Sequence, residues 1–329
     1  MYTTPVQGRT SRVMNFKTLM TSLLTISLLA APAMAQEEAA PATETGVKFS
    51  GFVDASVFAV LASEVEDPEF FDGFALGLDQ VELDIEAAVT GDLTVRTDLN
   101  FFPGAGAASF DSLVEQAYAE YSMGDSGFFV QVGKRNAPIG IEALDPVDMY
   151  QYSQGLIFAG ATPSNLNGVF VGYSDGAISA LAWGSNDWDT PKVGGKPSAG
   201  ARLEYAFDAG HVGLSSTYSL ATEALMVDTD AKAGFGDFTA FLEGNYGSAD
   251  DVDTTGFLVK GNYALTEDFS TTLRYDMLTV GEVASSSVSA AVLLTLAEGL
   301  SGCAEVRMDM GDADYADFTT AAFEIIGAF

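Results

Sequence analysis

The chain has few basic residues, almost no cysteine or histidine, and no long apolar run. Cys303 is its one cysteine, so no internal disulfide can form and a small stapled secreted domain is excluded. The one histidine, His211, lies beside the turn Asp208-Ala209-Gly210, which predicts an interface residue. A Ser/His/Asp triad in the interior needs a histidine elsewhere. One His and one Cys cannot build a closed zinc site. No enzyme activity and no cofactor are expected. Lys and Arg number 14 against 46 Asp and Glu, a net charge of −32. Such a chain does not bind nucleic acid or an anionic surface through charge. After the first thirty-five residues no stretch reaches the ~18 apolar residues of a membrane helix.

What is present begins with a leader. Arg9, Arg12 and Lys17 precede the apolar run Leu19–Ala31, and Ala33-Met34-Ala35 has the small-x-small pattern of a cleavage site. Residues 1–35 read as a signal peptide removed before Gln36, with Met14 as a second possible start. Three basic residues and no acid leave with it, so 294 residues remain with a net charge of −35. Residues 36–46 read as a flexible acidic leader and 47–329 as one folded domain. A hydrophobic content of 48% argues against disorder despite the charge.

From Val47 the dominant period is two. Val81, Leu83, Ile85 and Ala87 alternate with Gln80, Glu82, Asp84 and Glu86, and Leu93, Val95, Thr97 and Leu99 alternate with Thr94, Arg96, Asp98 and Asn100. Such alternation marks strands with one apolar and one polar face. Sixteen strands are predicted: 47–61, 74–88, 93–101, 113–121, 128–135, 167–173, 177–184, 199–207, 210–219, 225–233, 237–246, 255–264, 269–278, 286–296, 300–309 and 317–329. Every second connection is a short turn rich in Gly and Asp, such as Thr90-Gly91-Asp92 and Ala297-Glu298-Gly299. The others, such as 62–73, 185–198 and 247–254, are longer and more polar. Aromatics flank the short turns: Tyr121 and Phe128, Tyr205 and Phe207, Phe235 and Phe238, Tyr263 and Phe269.

Even strand number, unequal ends and an aromatic girdle together describe an all-β transmembrane antiparallel up-and-down barrel of about sixteen strands, within a range of twelve to sixteen. A solenoid would show a fixed repeat of ~20–50 residues, and none appears. A sandwich would show the same alternation, but it explains neither the leader nor the turn asymmetry. The last strand puts Ala321, Phe323, Ile325 and Phe329 on one face. It is similar to the final strand of many bacterial outer-membrane proteins, which the barrel-assembly machinery reads at its terminal Phe. The expected surroundings are outer-membrane lipids and lipopolysaccharide.

The middle of the chain carries a more specific likeness. Val114-Glu115-Gln116-Ala117-Tyr118, Val132-Gly133-Lys134, Pro138-Ile139-Gly140-Ile141-Glu142, Tyr152-Ser153, Leu156-Ile157-Phe158, Pro163 and Gly168-Val169 resemble the OmpL-like β-barrel porins over roughly 114–188. In that family Arg-Ser follows the Tyr-Ser pair, where this chain has Gln154-Gly155. If that Arg pairs with the Glu of the Pro-x-Gly-x-Glu segment, Glu142 lacks this partner here. The resemblance implies a bacterial outer-membrane porin and names no solute.

The anomaly of the chain is the insert 136–166 between the fifth and sixth strands, far longer than its neighbours and carrying Pro138, Pro146 and Pro163. Long loops of this kind are usually functional. It is predicted to fold inward as the third long loop, with Glu142, Asp145 and Asp148 as a pore constriction. Arg96, Arg135, Arg202, Lys232, Arg274 and Arg307 are predicted on the pore wall, where a basic side chain avoids the ~2–4 kcal/mol cost of facing lipid. Lumen acids outnumber these bases, so a weak cation preference is expected. Asp250, Asp251 and Asp253 are a weaker candidate for Ca²⁺, and Trp183, Trp188, Tyr150 and Tyr152 for a sugar-stacking path. The reading is a diffusion porin for ions and small hydrophilic solutes, possible as a homotrimer. The alternative is a non-transport barrel, surface-structural or adhesive, plugged by its own insert.

Overall fold

The computed structural model describes residues 46–63, 74–102, 113–186, 188, 196–311 and 317–329. The predicted signal peptide, nearly all of the acidic leader, most of the loop at 62–73, and Lys192 lie outside these residues. Sixteen antiparallel strands close into one barrel. They are β1 (Val47–Ser63), β2 (Phe74–Ala88), β3 (Leu93–Phe101), β4 (Val114–Ser122), β5 (Phe128–Asn136), β6 (Asn165–Ser174), β7 (Ile178–Ser185) and β8 (Ser198–Phe207). Then follow β9 (Gly210–Ser219), β10 (Ala224–Phe235), β11 (Phe238–Ala249), β12 (Val252–Thr266), β13 (Phe269–Val280), β14 (Val283–Ala297), β15 (Leu300–Gly311) and β16 (Phe318–Ala328).

Each strand pairs with its sequence neighbours, and β16 returns to β1. Phe329 completes the seam, since its amide donates to the Gly51 carbonyl at 3.0 Å and its carbonyl accepts from the Gly51 amide at 3.2 Å. Closure removes the unpaired edges that cannot exist in lipid. The alternation sorts the faces as expected. On β13, Thr272, Arg274 and Asp276 are buried, while Leu273, Tyr275 and Met277 are exposed. The polar set faces inward and the apolar set outward, the reverse of a soluble core and the arrangement for a barrel in lipid. Of the girdle aromatics, Tyr121, Phe128, Tyr205, Phe207, Phe235, Phe238 and Tyr263 are all exposed.

Two differences from the sequence reading have physical causes. The connection expected over 247–254 is a tight turn, because β11 and β12 run on to Ala249 and Val252. Asp250 and Asp251 occupy it with φ of +50° and +64°, the left-handed conformation that two-residue hairpins require and Asp tolerates. The candidate Ca²⁺ acids therefore sit in a hairpin, where the Tyr246 hydroxyl donates to Asp253 at 3.0 Å. The second difference is a bulge in β4. Asp98 pairs with Gln116 and the adjacent Leu99 with Val114, so an extra residue breaks the period. Glu115 and Gln116 are consequently both buried.

The insert, residues 137–164, crosses the lumen. It leaves β5, and its apolar start, Ala137 and Ile139, packs with Leu166, Phe170, Trp183 and Met226. Trp183 is thus buried packing against the insert, at 5% exposure, and offers no open face to a sugar. The chain next passes β11, where Gly140 has φ +83° and a Cβ would stand 2.6 Å from Glu243 Oε1. Only glycine permits both that backbone and that approach. A short helix, α1 (Leu156–Gly160), then lies against β12, β13 and β14, eight strands around the barrel from β5.

Candidate functional site

The insert is attached by side chains of the far wall. Glu142 is 5% exposed, with Lys260 of β12 at 3.2 Å and Arg274 of β13 at 3.4 Å. Its other oxygen accepts from the Gly155 amide. Burial by itself raises the Glu142 carboxyl pKa, but Lys260, Arg274 and that amide outweigh it and hold the group below the usual carboxylate range. The family's Arg after the Tyr-Ser pair is absent, yet Glu142 is not without a cationic partner: the wall supplies two.

Further polar contacts follow along the segment. Arg274 Nη1 donates to the Ser153 carbonyl at 2.5 Å and Arg307 Nη1 to the Gln154 carbonyl at 2.7 Å. The Leu156 amide donates to Asp276 at 3.0 Å, and the Gln151 amide nitrogen to Ser289 Oγ at 2.9 Å. Ser153 Oγ donates to Glu305. Tyr152 is held by its hydroxyl against Ser56 of β1 at 3.2 Å. Anchors on five separate strands fix the path of an otherwise irregular segment, whose backbone groups must find partners when buried.

The other predicted residues divide. Asp148 is exposed and lines a cavity of about 350 Å³ beside the insert, with Tyr150, Arg135, Arg202, Lys232 and Lys260 among the other lining groups. Asp145 is half-buried and lies with Glu82 and Glu115, one oxygen of each within 4.8 Å of the others. Arg96 pairs with Asp98 at 2.9 Å and Asp84 at 3.7 Å. Arg202 pairs with Asp230 at 2.6 Å and Glu204 at 2.9 Å and touches no insert carboxylate. Arg274 and Arg307 also pair along their own strands, with Asp276 at 2.7 Å and Asp309 at 2.6 Å. Arg135 stacks over Phe170 at 5.2 Å, and Lys232 stands 5.5 Å from the Tyr150 ring and 5.3 Å from the Phe241 ring.

Sequence reasoning missed Glu115, which strict alternation turns outward, and the anchors Gln151 and Ser153; Tyr152, expected on a sugar path, is an anchor held by Ser56. His211, expected at the interface, has an 11% exposed side chain 3.5 Å from Asp230 and lines the cavity. Its alternation with exposed Val212 was the available signal.

A closed sixteen-stranded barrel with a polar interior crossed by a loop is the setting for comparison with known proteins. The profile of the family described as "Putative beta-barrel porin-2, OmpL-like" matches residues 46–295. The chain belongs to this family. These porins are bacterial outer-membrane channels, and the outer membrane is where this barrel resides. No curated protein matches the chain by sequence. Solved structures share the porin fold. The outer membrane channel DcaP of Acinetobacter baumannii superposes with TM-score 0.64 at 12% identity, covering 86% of this chain and 97% of that one. An anion-selective porin from Comamonas acidovorans gives 0.64 at 14% identity, covering 87% and 100%. OmpT of Vibrio cholerae, solved in a trimer form, gives 0.64 at 12% identity, covering 86% and 99%.

Proposed function

We propose that this OmpL-like porin is a diffusion channel for ions and small hydrophilic solutes, narrowed by its third long loop, without catalysis and with weak cation preference. The observation that carries the reading is Glu142 clamped between Lys260 and Arg274, which holds the insert across the lumen. Glu142 and Asp145 then position the constriction, and Asp148 faces the solute path together with Lys232 and Arg135. Arg96, Arg202, Arg274 and Arg307 shape the wall.

The cation preference rests on which charges are paired. Arg96, Arg202, Arg274, Arg307 and Lys260 are each tied to at least one carboxylate. Among the described residues, Asp54, Glu82, Glu115, Asp228, Glu243 and Glu324 are buried without an ion pair. Counted as side chains the interior holds more acids than bases, and each acid that is ionised beside the solute path favours cations. The exported chain is cleaved before Gln36, delivered to the assembly machinery by the strand ending in Phe329, and surrounded by lipid and lipopolysaccharide. A trimer, as in the trimer form of OmpT, is proposed for it as well.

Planar-bilayer recording of the purified protein tests the channel. Stable conductance steps that enlarge when residues 138–158 are deleted are expected. Silence with and without the insert would instead establish a barrel with no transport role.

A further inference from the structure

One rung of the inner wall runs across β9 to β13: His211 pairs with Lys232, Lys232 with Phe241, Phe241 with Lys260, and Lys260 with Arg274. The insert takes one end of this rung, where Glu142 meets Lys260 and Arg274. At the other end His211 lies beside Asp230. Lys232, between them, has no such partner. Among the described residues it makes no ion pair and no hydrogen bond; its ammonium stands 5.5 Å from the Tyr150 ring and 5.3 Å from the Phe241 ring. Two rings answer part of the charge, but the three N–H donors of an ammonium are left without an oxygen acceptor from the protein.

Lys232 lines the cavity of about 350 Å³ between the insert and the wall. Most of the other charges there are already matched. Arg202 pairs with Glu204 and Asp230, and Lys260 with Glu142. Arg135 makes no ion pair among the described residues; it donates to the Asn136 carbonyl at 3.3 Å and to Gln131 Oε1. Asp148 makes none either. The chain holds Asp148 near Lys232, because Tyr150, two residues on, packs against Phe241 with 5.0 Å between ring centroids. The unpaired charges of the cavity are therefore two cations and one carboxylate. Around them Tyr150, Phe241, Phe129, Ile141 and Leu181 supply an apolar lining.

A free anion in this cavity meets Asp148 as a like charge, and a free cation meets Lys232 and Arg135. A solute that carries both charges answers all three groups. A flat apolar body then displaces water from the two rings. We infer that the cavity is a binding subsite for a small zwitterion with an apolar body, the chemistry of an aromatic α-amino acid. Its carboxylate binds Lys232 and Arg135, its ammonium binds Asp148, and its side chain lies against Tyr150 and Phe241. The volume is at the small end of the roughly 300–1,000 Å³ of ligand sites, which suits a single amino acid rather than a peptide. As a station for a passing solute, the subsite rests on the reading of the barrel as a channel. A zwitterion has no net charge, so the subsite does not oppose a cation preference.

The test is equilibrium binding of L-phenylalanine to the full chain in detergent, beside three compounds that each lack one feature. Saturable binding of L-phenylalanine is expected. Hydrocinnamate lacks the ammonium, phenethylamine the carboxylate and glycine the apolar body, and each should bind at least about tenfold more weakly. Lys232→Met should weaken L-phenylalanine about tenfold. Asp148→Asn should weaken L-phenylalanine and tighten hydrocinnamate, a reversal that misfolding does not produce. Asp148 is outside the strands, so heat-modifiable gel migration should show a folded barrel in that variant. In planar bilayers L-phenylalanine should interrupt the current steps briefly and saturably. Absence of saturable L-phenylalanine binding, hydrocinnamate binding as tight, or unchanged affinities in Asp148→Asn would overturn the subsite even where the channel conducts. Binding as expected without any current steps would uphold the subsite and overturn the channel reading.

Discussion

Arg274 on β13 meets Glu142 of the insert at 3.4 Å, across 132 residues of sequence. Both side chains are buried, and the same guanidinium donates to the Ser153 carbonyl and pairs with Asp276. One arginine therefore joins wall and insert.

Breaking that join should free the insert. Arg274→Ala leaves Glu142 and Asp276 buried beside one fewer cation, a change of the kind that costs ~3–5 kcal/mol. Lys260 remains near Glu142, so the lower end is expected. Larger, noisier conductance steps and a lower urea midpoint are the expected result. Unchanged steps at an unchanged midpoint would show that Arg274 does not hold the insert.

Ion preference should have the sign of the unpaired charge. Reversal potentials in a KCl gradient are expected to report K⁺ over Cl⁻ by a small ratio. Asp148→Asn should reduce that ratio, because Asp148 is exposed beside Lys232 in the cavity. An anion-selective sign in the unaltered protein would refute the preference.

The approach at Gly140 should tolerate no side chain. Gly140→Ala adds a Cβ 2.6 Å from Glu243 Oε1 at φ +83°, with a backbone cost of roughly 1–2 kcal/mol. The barrel should assemble with ordinary heat-modifiable migration, while the insert becomes more susceptible to protease. Protection equal to the parent protein would show that the insert does not need this path.

The acid dependence of the insert should combine two opposed groups. Glu142 has a folded pKa below its ordinary 4.5, so its contribution is complete above that value and is lost as pH falls through the lower, folded one. Asp145 is raised well above 3.8 by burial first, then by Asp148, Asp84 and Asp98. The folded state keeps its proton longer, so stability falls as pH rises from 3.8 through the folded value. Protection of the insert from an acid-active protease should therefore decline with rising pH above 4.5, where the Glu142 contribution is complete, and Asp145→Asn should flatten this decline. A decline of equal slope in that variant would assign it to another group.

Much of the barrel was legible because its determinants are local. Alternation such as Val81 to Ala87 sets a strand and its faces, and turns such as Ala297-Glu298-Gly299 set its ends. The inward placement of Arg96, Arg202, Arg274 and Arg307 follows from the same period. Legibility failed where the period was interrupted. The β4 bulge turned Glu115 inward, and polar residues at 247–254 concealed strands that pair through their backbones.

A sixteen-stranded membrane barrel with an unusual third loop can be read from the chain alone, because strand period, turn chemistry and loop length act over a few residues. The surroundings of the loop's acids depend instead on contacts between distant parts of the chain. Glu142 meets Lys260 and Arg274, Asp145 meets Glu82 and Glu115, and Asp148 faces the cavity. Three acids within seven positions have three different surroundings because barrel closure, not chain proximity, chooses which wall residue each one reaches.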